Sequence, residues 1–367
     1  MDKELESLRA KLLAKPRKVH LPFDKGLSTG STLLNLACTG RPDVGFLPGH
    51  VYLLVGDTAS GKTFLGLTCF AEAAANRAFK EHRLVYDGPE GGALMDWRKF
   101  FGKEMAKRVE APVDPGKLCR AEAPAARPSS TIEEFYDNVI LCPGPFVWLL
   151  DSMDALSSQD ERKAYRKQRL ARRSGLEAGG SYGDGKAKKN SSLLRIAHNK
   201  VAADGSVLII VQQTRDNIGF DAIFSPKTKA GGRAPTFYAC LELWSSVVKV
   251  LRKEHKGRKL PVGVLAKVRV KKNRVTGRDR TVELPIYYES GIDDVGSMVR
   301  FLSDWDWWPK GKGGRMEARE LERTGTEEKL IQTIQEEGLE PAVKRAAAAC
   351  WNQIEAECRV ERKVKYK

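Results

Sequence analysis

Eight residues of the sequence constrain its fold more than any others. The octapeptide GDTASGKT, residues 56–63, follows the apolar run Val51–Val55 and opens a helical stretch, Phe64–Ala75. A strand, a glycine-rich turn and a helix in this order form a P-loop, in which backbone N–H groups and the helix N-terminus surround a polyphosphate. The predicted ligands are Gly56, Asp57, Thr58, Ala59, Ser60, Gly61, Lys62 and Thr63. We expect Lys62 to contact the β- and γ-phosphates of a nucleoside triphosphate and the Thr63 hydroxyl to bind Mg²⁺.

Further short apolar runs predict the rest of the sheet. The runs Leu84–Tyr86, Val139–Leu141, Val147–Leu150 and Val207–Val211 read as buried strands because apolar side chains fill both of their faces. Helical stretches separate most of them, which predicts an α/β fold with a mostly parallel sheet. Three later runs without intervening helices predict antiparallel strands at one end of that sheet: Val247–Leu251, Val262–Val270 and Thr281–Tyr288.

A carboxylate at the end of one strand completes the predicted nucleotide site. Asp151 directly follows the run Val147–Leu150, and the carboxyl ends of strands in open α/β sheets are where ligands bind. Many strands end in Asp, so this pattern indicates a nucleotide site only in combination with the P-loop. Together they predict that Asp151 holds Mg²⁺ through water, as a Walker B residue.

Charge and cysteine content narrow the class of protein. The 63 Lys and Arg residues exceed the 47 Asp and Glu residues, for a net charge of +16, which favours a polyanionic partner. The seven cysteines include no CxxC pair, so disulfide or zinc frameworks are not expected. The charged N-terminus lacks the apolar core of a signal peptide, and no run of residues is apolar enough to span a membrane. We expect a protein of the reducing cytosol, with no membrane partner.

Seven segments in a fixed order resemble the RecA recombinase family, in a style closest to forms carried by bacterial viruses. They are LSTGSTLLNLA, FLPGHVYLLVGDTASGKT, LVYDGPEGG, LLDSMDAL, VQQTRDNIGF, AGGRAPTFYA and VRVKKNR, and they cover roughly residues 27–305. The resemblance implies a RecA-type P-loop ATPase core that uses ATP and Mg²⁺, binds single- and double-stranded DNA and assembles into a helical filament of identical subunits. Loader proteins and single-strand-binding proteins are further candidate partners.

The resemblance also suggests roles for residues around the nucleotide. Glu90 corresponds to the glutamate that activates the attacking water, although Asp87 lies close enough in sequence to exchange roles with it. Trp97 corresponds to an aromatic ring that stacks on adenine, with a core Trp as the competing interpretation. Gln213 corresponds to the γ-phosphate sensor, although an amide at a strand end can also act simply as a cap.

Two cations near the end of the core are expected to act across a subunit interface. Lys272 and Arg274 match the family's Lys-x-Lys pair, which reaches the neighbouring subunit's nucleotide, with Arg here in the second position. A solvated basic strand edge is the alternative. Phe237 matches an interface position and could equally be a core Phe.

Two polar segments, about 157–192 and 214–236, are predicted DNA-binding loops, because each follows a predicted core strand and carries cations. The first is rich in Lys and Arg, and a solvated charged surface is the alternative interpretation of it. The second mixes cations with apolar residues and glycines. The predicted DNA contacts are Arg166, Arg169, Arg172, Arg173, Lys186, Lys188, Lys189, Arg215, Phe220, Lys227, Lys229, Gly231, Gly232 and Arg233.

The sequence is therefore expected to contain an N-terminal oligomerisation arm (1–26), a RecA-like ATPase core (27–308) and a linker with a small helical C-terminal domain (309–367). The expected function is a DNA-dependent ATPase that forms filaments on single-stranded DNA and catalyses homologous pairing and strand exchange. A ring helicase or DNA motor with the same core, and a non-hydrolysing DNA-binding paralogue, are the alternatives.

Overall fold

The computed structural model describes residues 23–112, 127–174, 185–216, 227–229, 234–362 and 365. Its helices are α1 (Thr32–Thr39), α2 (Lys62–Ala75), α3 (Trp97–Arg108), α4 (Ile132–Leu141), α5 (Gln159–Arg173), α6 (Gly185–Asp204), α7 (Ala234–Tyr238), α8 (Asp294–Asp304), α9 (Glu327–Glu337) and α10 (Glu340–Glu357). Its strands are β1 (His50–Gly56), β2 (Arg83–Asp87), β3 (Val109–Glu110), β4 (Phe146–Leu150), β5 (Val207–Asp216), β6 (Lys227–Lys229), β7 (Ala239–His255), β8 (Arg258–Asn273), β9 (Arg280–Tyr287), β10 (Gly291–Ile292), β11 (Met316–Ala318) and β12 (Arg323–Gly325). Within these residues no helix is long and apolar enough to cross a bilayer.

One large sheet organises the chain, in the order β10-β9-β8-β7-β1-β5-β4-β2-β3, with β6 added to β5. Neighbouring strands are parallel from β7 through β1, β5 and β4 to β2 and β3. Strands β7, β8, β9 and β10 pair antiparallel with one another at one end. The predicted α/β fold, the mostly parallel sheet and its antiparallel end are all confirmed.

Helices cover both faces of the sheet and enclose two apolar layers. Alternate residues of β1 divide between the layers, because successive strand side chains point to opposite faces. Tyr52 and Leu54 pack with α1, α2 and the C-terminal helices. Val51, Leu53 and Val55 pack with α4 and α6. The parallel strands therefore end at a common edge between the two helical layers, which is the edge that the P-loop follows.

The prediction of a strand at Val139–Leu141 is wrong. These residues form the last turn of α4, which Thr131 caps by accepting a hydrogen bond from the Glu134 amide at 3.2 Å. Buried residues recur along α4 at helical spacing, namely Ile132, Phe135, Tyr136 and Val139. Three apolar residues in a row at a helix end cannot be distinguished from a strand without this longer pattern.

The two predicted loops are more ordered than the sequence suggested. Residues 159–173 and 185–204 form α5 and α6, and β6 pairs antiparallel with the end of β5, joining Thr214 to Lys229 and Asp216 to Lys227. A capping box between Ser158 and Glu161 starts α5, and basic residues in its last turn interact favourably with the negative end of the helix dipole. Helical Arg and Lys are good helix formers, and this outweighs their mutual repulsion.

The C-terminal segment contains the expected helices. Thr326 caps α9, Gly338 ends it with φ +66°, and Pro341 lies in the first turn of α10. The segment read as a linker also contains a short hairpin, β11–β12. Leu330, Ile334 and Trp351 join the apolar layer that contains α1 and α2, and Trp308 is fully buried. The two C-terminal helices therefore share a continuous hydrophobic core with the rest of the chain.

Candidate nucleotide and DNA site

The P-loop lies between the carboxyl end of β1 and the start of α2. Gly56 leaves no room for a side chain, because a Cβ there would lie 2.2 Å from the Ser245 carbonyl oxygen, and Gly61 adopts φ +85°. The Lys62 ammonium donates to the Asp57 carbonyl oxygen at 2.6 Å. Burial lowers the pKa of Lys62, an effect that nearby carboxylates led by Asp151 oppose. The lysine is thus held inside the loop by backbone contacts.

Oxygen ligands suited to a divalent cation meet beside this loop. The Thr63 hydroxyl donates to Asp151 Oδ2 at 2.7 Å, and Tyr86 donates to the same oxygen at 3.4 Å. Burial raises the pKa of Asp151. A hydroxyl and a carboxylate at this distance are hard ligands of the kind that Mg²⁺ selects, so the predicted pair fits the ion. When bound, Mg²⁺ would neutralise phosphate charge.

Glu90 lies at the meeting point of three segments. Its Oε1 accepts hydrogen bonds from the Ser152 hydroxyl and from Gln213 Nε2, the second at 2.9 Å. The Gln213 backbone N–H donates to Asp154 Oδ2 at 2.7 Å. The predicted sensor therefore contacts the predicted catalytic carboxylate directly, and its backbone is fixed by a second carboxylate.

Sequence reasoning missed Ser152 and Asp154, which hold this arrangement together. Both lie within three residues of Asp151, on the turn that follows β4. The segment LLDSMDAL carried the signal, since polar residues after a core strand reach the same sheet edge as the P-loop. Ser152 is buried, and its hydroxyl donates to Glu90 Oε1.

Asp87 faces away from this site. It is fully buried, and its two carboxylate oxygens accept hydrogen bonds from the Ser129 amide at 2.7 Å and the Ser129 hydroxyl at 2.6 Å. Burial raises the pKa of Asp87 from 3.8 to about 6. These contacts favour Asp87 as a structural carboxylate and leave Glu90 as the candidate to activate water.

Trp97 begins α3 and is half-buried. Its ring meets Tyr86 edge-on, with centroids 5.2 Å apart, and its Nε1 donates to the Ala93 carbonyl at 3.1 Å. The same Tyr86 donates to Asp151, so Tyr86 connects Trp97 to a candidate magnesium ligand. The edge-on contact with Tyr86 and the partial exposure are compatible with both interpretations of this residue.

A second connection joins the P-loop to the end of β5 and to β6. The Asp57 carboxylate accepts hydrogen bonds from the Thr214 hydroxyl and the Lys227 ammonium. These two contacts, led by Lys227, lower the pKa of Asp57. We therefore find Asp57, predicted as a phosphate ligand through its backbone, using its side chain to hold a predicted DNA contact.

Lys229 is also engaged within the protein. It lies 2.9 Å from Glu242, and both side chains are buried. Burial lowers the pKa of Lys229. Burial alone would raise the pKa of Glu242, but the adjacent Lys229 lowers the pKa of Glu242 below its usual value. Both Lys227 and Lys229 are thus paired with a carboxylate, Lys227 at the surface and Lys229 largely in the interior, and their role as DNA contacts stays a prediction.

Lys272 and Arg274 lie beside an exposed aromatic ring. Lys272 Nζ donates to the carbonyl oxygens of Thr236 and Phe237, and Arg274 Nη2 donates to the Phe237 carbonyl at 2.6 Å. The Phe237 side chain is 66% exposed, so it is not a core residue. Across residues 23–112, 127–174, 185–216, 227–229 and 234–362, neither cation forms an ion pair with a carboxylate.

The remaining predicted DNA contacts fall into three groups. Arg166, Arg169, Arg172 and Arg173 are exposed on α5, and Lys188 and Arg215 are exposed on α6 and β5. Lys189 forms ion pairs with Glu133 and Asp160, so it is not a free cation here, because α6 packs beside these acidic side chains. Outside the described residues lie Phe220, Gly231, Gly232, Arg233 and the arm before Phe23, and the side chain of Lys186 is likewise not described.

Fold and site together define an α/β protein with a P-loop nucleotide site at the carboxyl edge of its sheet. Residues 174–293 match the model of the RecA N-terminal domain. Protein RecA of Chlorobium limicola is 30% identical over 278 residues, which cover 75% of this chain and 68% of the relative. Protein RecA of Chlorobaculum tepidum is 29% identical over 274 residues, covering 74% of this chain and 68% of the relative.

The chain belongs to the RecA family. At the level of the family it is a RecA-like recombinase, an ATP-binding and DNA-binding ATPase of DNA recombination and repair. The RecA resemblance inferred from seven sequence segments is confirmed.

Proposed function

We propose that this chain hydrolyses ATP in response to DNA, assembles as a helical filament on single-stranded DNA and catalyses homologous pairing and strand exchange. The observation that carries the proposal is the hydrogen bond between Gln213 and Glu90 at 2.9 Å. It joins the candidate catalytic carboxylate to β5, the strand that leads into the predicted second DNA segment.

Hydrolysis would use the chain's own groups in separate roles. Lys62 and the P-loop amides bind the phosphates, while Thr63 and Asp151 hold the cation. Glu90, whose carboxylate is exposed and oriented by Ser152, accepts a proton from the attacking water or aligns it. When Gln213 exchanges its bond to Glu90 for a phosphate oxygen, the end of β5 has to move, and the DNA segment moves with it.

Assembly would complete the site. Lys272 and Arg274 have N–H groups without carboxylate partners in the described residues, and they flank the exposed Phe237 ring. Cations that reach a neighbour's nucleotide stabilise charge on the transferred phosphoryl group, as an arginine finger does. An exposed aromatic beside them supplies apolar contact area at the same surface. Hydrolysis would then depend on filament formation.

The test combines ATP turnover with two DNA readouts. We expect single-stranded DNA to stimulate hydrolysis, the protein and ATP to form helical filaments in electron micrographs, and a homologous duplex to yield joint molecules. Lys62→Ala should remove hydrolysis, because its ammonium, which lies 2.6 Å from the Asp57 carbonyl oxygen, is the group expected to contact the phosphates. Closed rings that unwind DNA would favour the helicase alternative. DNA binding without any ATP turnover by the unmutated protein would favour the non-hydrolysing paralogue.

A further inference from the structure

Strands β7 and β8 continue as a two-stranded hairpin beyond the strand that leads into the P-loop. The last residue of β7 that pairs with β1 is Ser245, opposite Gly56, and β7 then continues to His255. The part of β7 beyond Ser245 is about 33 Å long, at about 3.3 Å per residue. We call residues 246–262 the basic hairpin.

A tight turn closes the basic hairpin. His255 pairs with Arg258, so the turn contains only Lys256 and Gly257. Both turn residues have positive φ, +48° and +74°. Positive φ at both positions is required by a type I′ turn, whose twist matches that of the strands it joins. The hairpin is therefore a regular ribbon rather than an irregular loop.

One edge of this ribbon has no partner strand. Among the strands that the structure describes, none pairs with β7 beyond Ser245 on the side of β1. The extra residue of β7 lies between Val247 and Lys249, and the later register shift beside Leu251 comes from an extra residue of β8. The free edge of β7 is therefore continuous from Lys249 to His255, which exceeds the usual strand length of about 5–6 residues.

The other edge of the ribbon is less suited to a partner strand. β8 pairs with β9 as far as Gly263, and the Tyr288 N–H donates to the Val262 carbonyl at 3.0 Å. The remaining residues of that edge, 258–261, include Pro261, which has no N–H to donate. The free edge of β7 is thus the longer one and has no proline.

The side chains along the free edge are exposed valines and cations. Val247, Val248 and Val250 are 39%, 47% and 42% exposed. The tip contains one acidic residue, Glu254, and six basic residues: Lys249, Arg252, Lys253, Lys256, Arg258 and Lys259. None of these six forms an ion pair with a carboxylate of the described residues.

The two kinds of side chain lie on opposite faces of the ribbon. Successive side chains of a strand alternate, so Val250 lies on one face and Lys249 and Lys253 lie on the other. Val247 shares the face of Val250, because their partners on β8 are two residues apart. A partner strand that alternates apolar and acidic residues would match both faces.

Charge and backbone together determine which partner fits this edge. A second copy of the hairpin would bring like charges opposite one another, which is unfavourable. DNA would be attracted by the cations, but it has neither a row of peptide N–H and C=O groups nor aliphatic side chains for the valines. An acidic polypeptide in an extended conformation supplies the charge, the hydrogen bonds and the apolar contacts.

We propose that the free edge of β7 in the basic hairpin is a docking site for an extended acidic segment of a partner protein. The segment pairs with Lys249–His255 as an additional β-strand, with acidic side chains on the lysine face and apolar side chains on the valine face. The cations also keep two hairpins from pairing with each other, as charged residues do at other sheet edges. The site is therefore an interaction surface for protein, separate from the nucleotide site.

The probe is a fluorescein-labelled peptide of four Glu-Val repeats, titrated with the full-length protein at about 100 mM salt, where exposed charges more than about 10 Å apart are screened. The control peptide has four Glu-Pro repeats, which carry the same charge but cannot continue a strand ladder. Infrared spectra of the Glu-Val peptide with ¹³C-labelled carbonyls report whether it becomes a strand when bound. These measurements contain neither nucleotide nor DNA, so their outcome does not depend on the proposed recombinase activity.

Three double variants test which residues bind the peptide. Lys249→Gln with Lys253→Gln removes charge from one face. Val247→Thr with Val250→Thr removes apolar contact from the other and keeps β-branched residues, which favour a strand. Lys310→Gln with Lys312→Gln removes the same charge from exposed positions outside the hairpin. All six positions are exposed, and circular dichroism would establish that each variant is folded.

We expect the Glu-Val peptide to bind the unmutated protein at least about tenfold more tightly than the Glu-Pro peptide, because only it can extend the sheet. Its labelled carbonyl band should shift to the position of a β-strand. The lysine variant should bind it at least about fivefold more weakly and the valine variant at least about threefold more weakly. The Lys310 and Lys312 variant should stay within about twofold of the unmutated protein.

Four results would overturn the proposal. Equal affinity for the two peptides, or no strand signal from the bound one, would mean that charge alone attracts them. Unchanged peptide binding in both hairpin variants would place the peptide elsewhere on the protein. Loss of affinity for a single-stranded oligonucleotide, but not for the peptide, in the lysine variant would make the hairpin a nucleic-acid surface. No binding of the Glu-Val peptide to the unmutated protein would reject the site outright.

Discussion

Substitution of Asp87 by Asn separates the structural carboxylate from the catalytic one. Asn is nearly isosteric: its Oδ1 can accept from the Ser129 amide, and its Nδ2 can donate to the Ser129 hydroxyl that now lies 2.6 Å from the carboxylate. The substitution removes a group that titrates while leaving two hydrogen bonds. Its effect on the free energy of unfolding should therefore depend on pH.

The sign and size follow from the pKa. Burial raises the pKa of Asp87 from 3.8 in the unfolded chain to about 6 in the folded protein. Between these values the folded state keeps a proton that the unfolded state releases, so this carboxyl makes the protein less stable as pH rises. At about 1.4 kcal/mol per pKa unit, the loss amounts to about 3 kcal/mol by pH 7. Asp87→Asn should lack this loss.

The assay is chemical denaturation of both proteins from pH 4.5 to pH 7.5. The unfolding free energy of Asp87→Asn minus that of the unmutated protein should rise with pH up to about pH 6 and then level off. The variant should also keep DNA-stimulated ATPase within about threefold, whereas Glu90→Gln should lose about a hundredfold or more if Glu90 is the general base. A flat difference curve, or loss of turnover in Asp87→Asn with retention in Glu90→Gln, would refute this reasoning.

Three further substitutions probe the contacts around the site. Glu242→Gln leaves the largely buried Lys229 ammonium without its counter-charge, so urea denaturation should show a loss of about 3–5 kcal/mol in the free energy of unfolding, whereas a loss below about 1 kcal/mol would mean that Lys229 reaches water. Asp57→Asn releases Lys227 from an exposed ion pair worth up to about 1 kcal/mol, so single-strand affinity without nucleotide should rise by at most about fivefold in a fluorescence titration. An unchanged affinity would contradict a masking role for Asp57. Phe237→Ala should shorten filaments in electron micrographs while leaving thermal stability within about 0.5 kcal/mol, because the ring is exposed; normal filaments would remove it from the interface.

The sequence was sufficient for the features that local patterns determine. The buried strand before the P-loop and the turn glycines each depend on a few neighbouring residues, and the structure places them as predicted. The parallel direction of the core strands follows from the crossover helices between them. Family membership then added roles that no spacing could supply, such as the sensor role suggested for Gln213.

The misinterpreted features depend on contacts far apart in the chain. The α5 segment was read as a loop because its charge density hides the helix signal, although Ser158 and Glu161 already form a capping box in the sequence. The engagement of Lys227 could not be foreseen, because its partner Asp57 lies 170 residues away in a loop whose backbone alone seemed to matter. Long-range pairing of side chains leaves no periodic trace in a single sequence.

These long-range contacts explain how one strand end can respond to the nucleotide through two routes. Gln213 and Thr214 are consecutive, so their side chains point to opposite faces of the strand. Each nevertheless contacts a residue of the nucleotide site: Gln213 contacts Glu90, and Thr214 contacts Asp57. Under the proposed function, a phosphate that displaces either contact would act on the same two consecutive residues of β5. Because Thr214 pairs with Lys229 of β6, the disturbance reaches two cations that are neutralised within the protein. Under the proposed function, release of those cations from their carboxylates would then follow nucleotide binding and would link the strength of the DNA contact to occupancy of the P-loop.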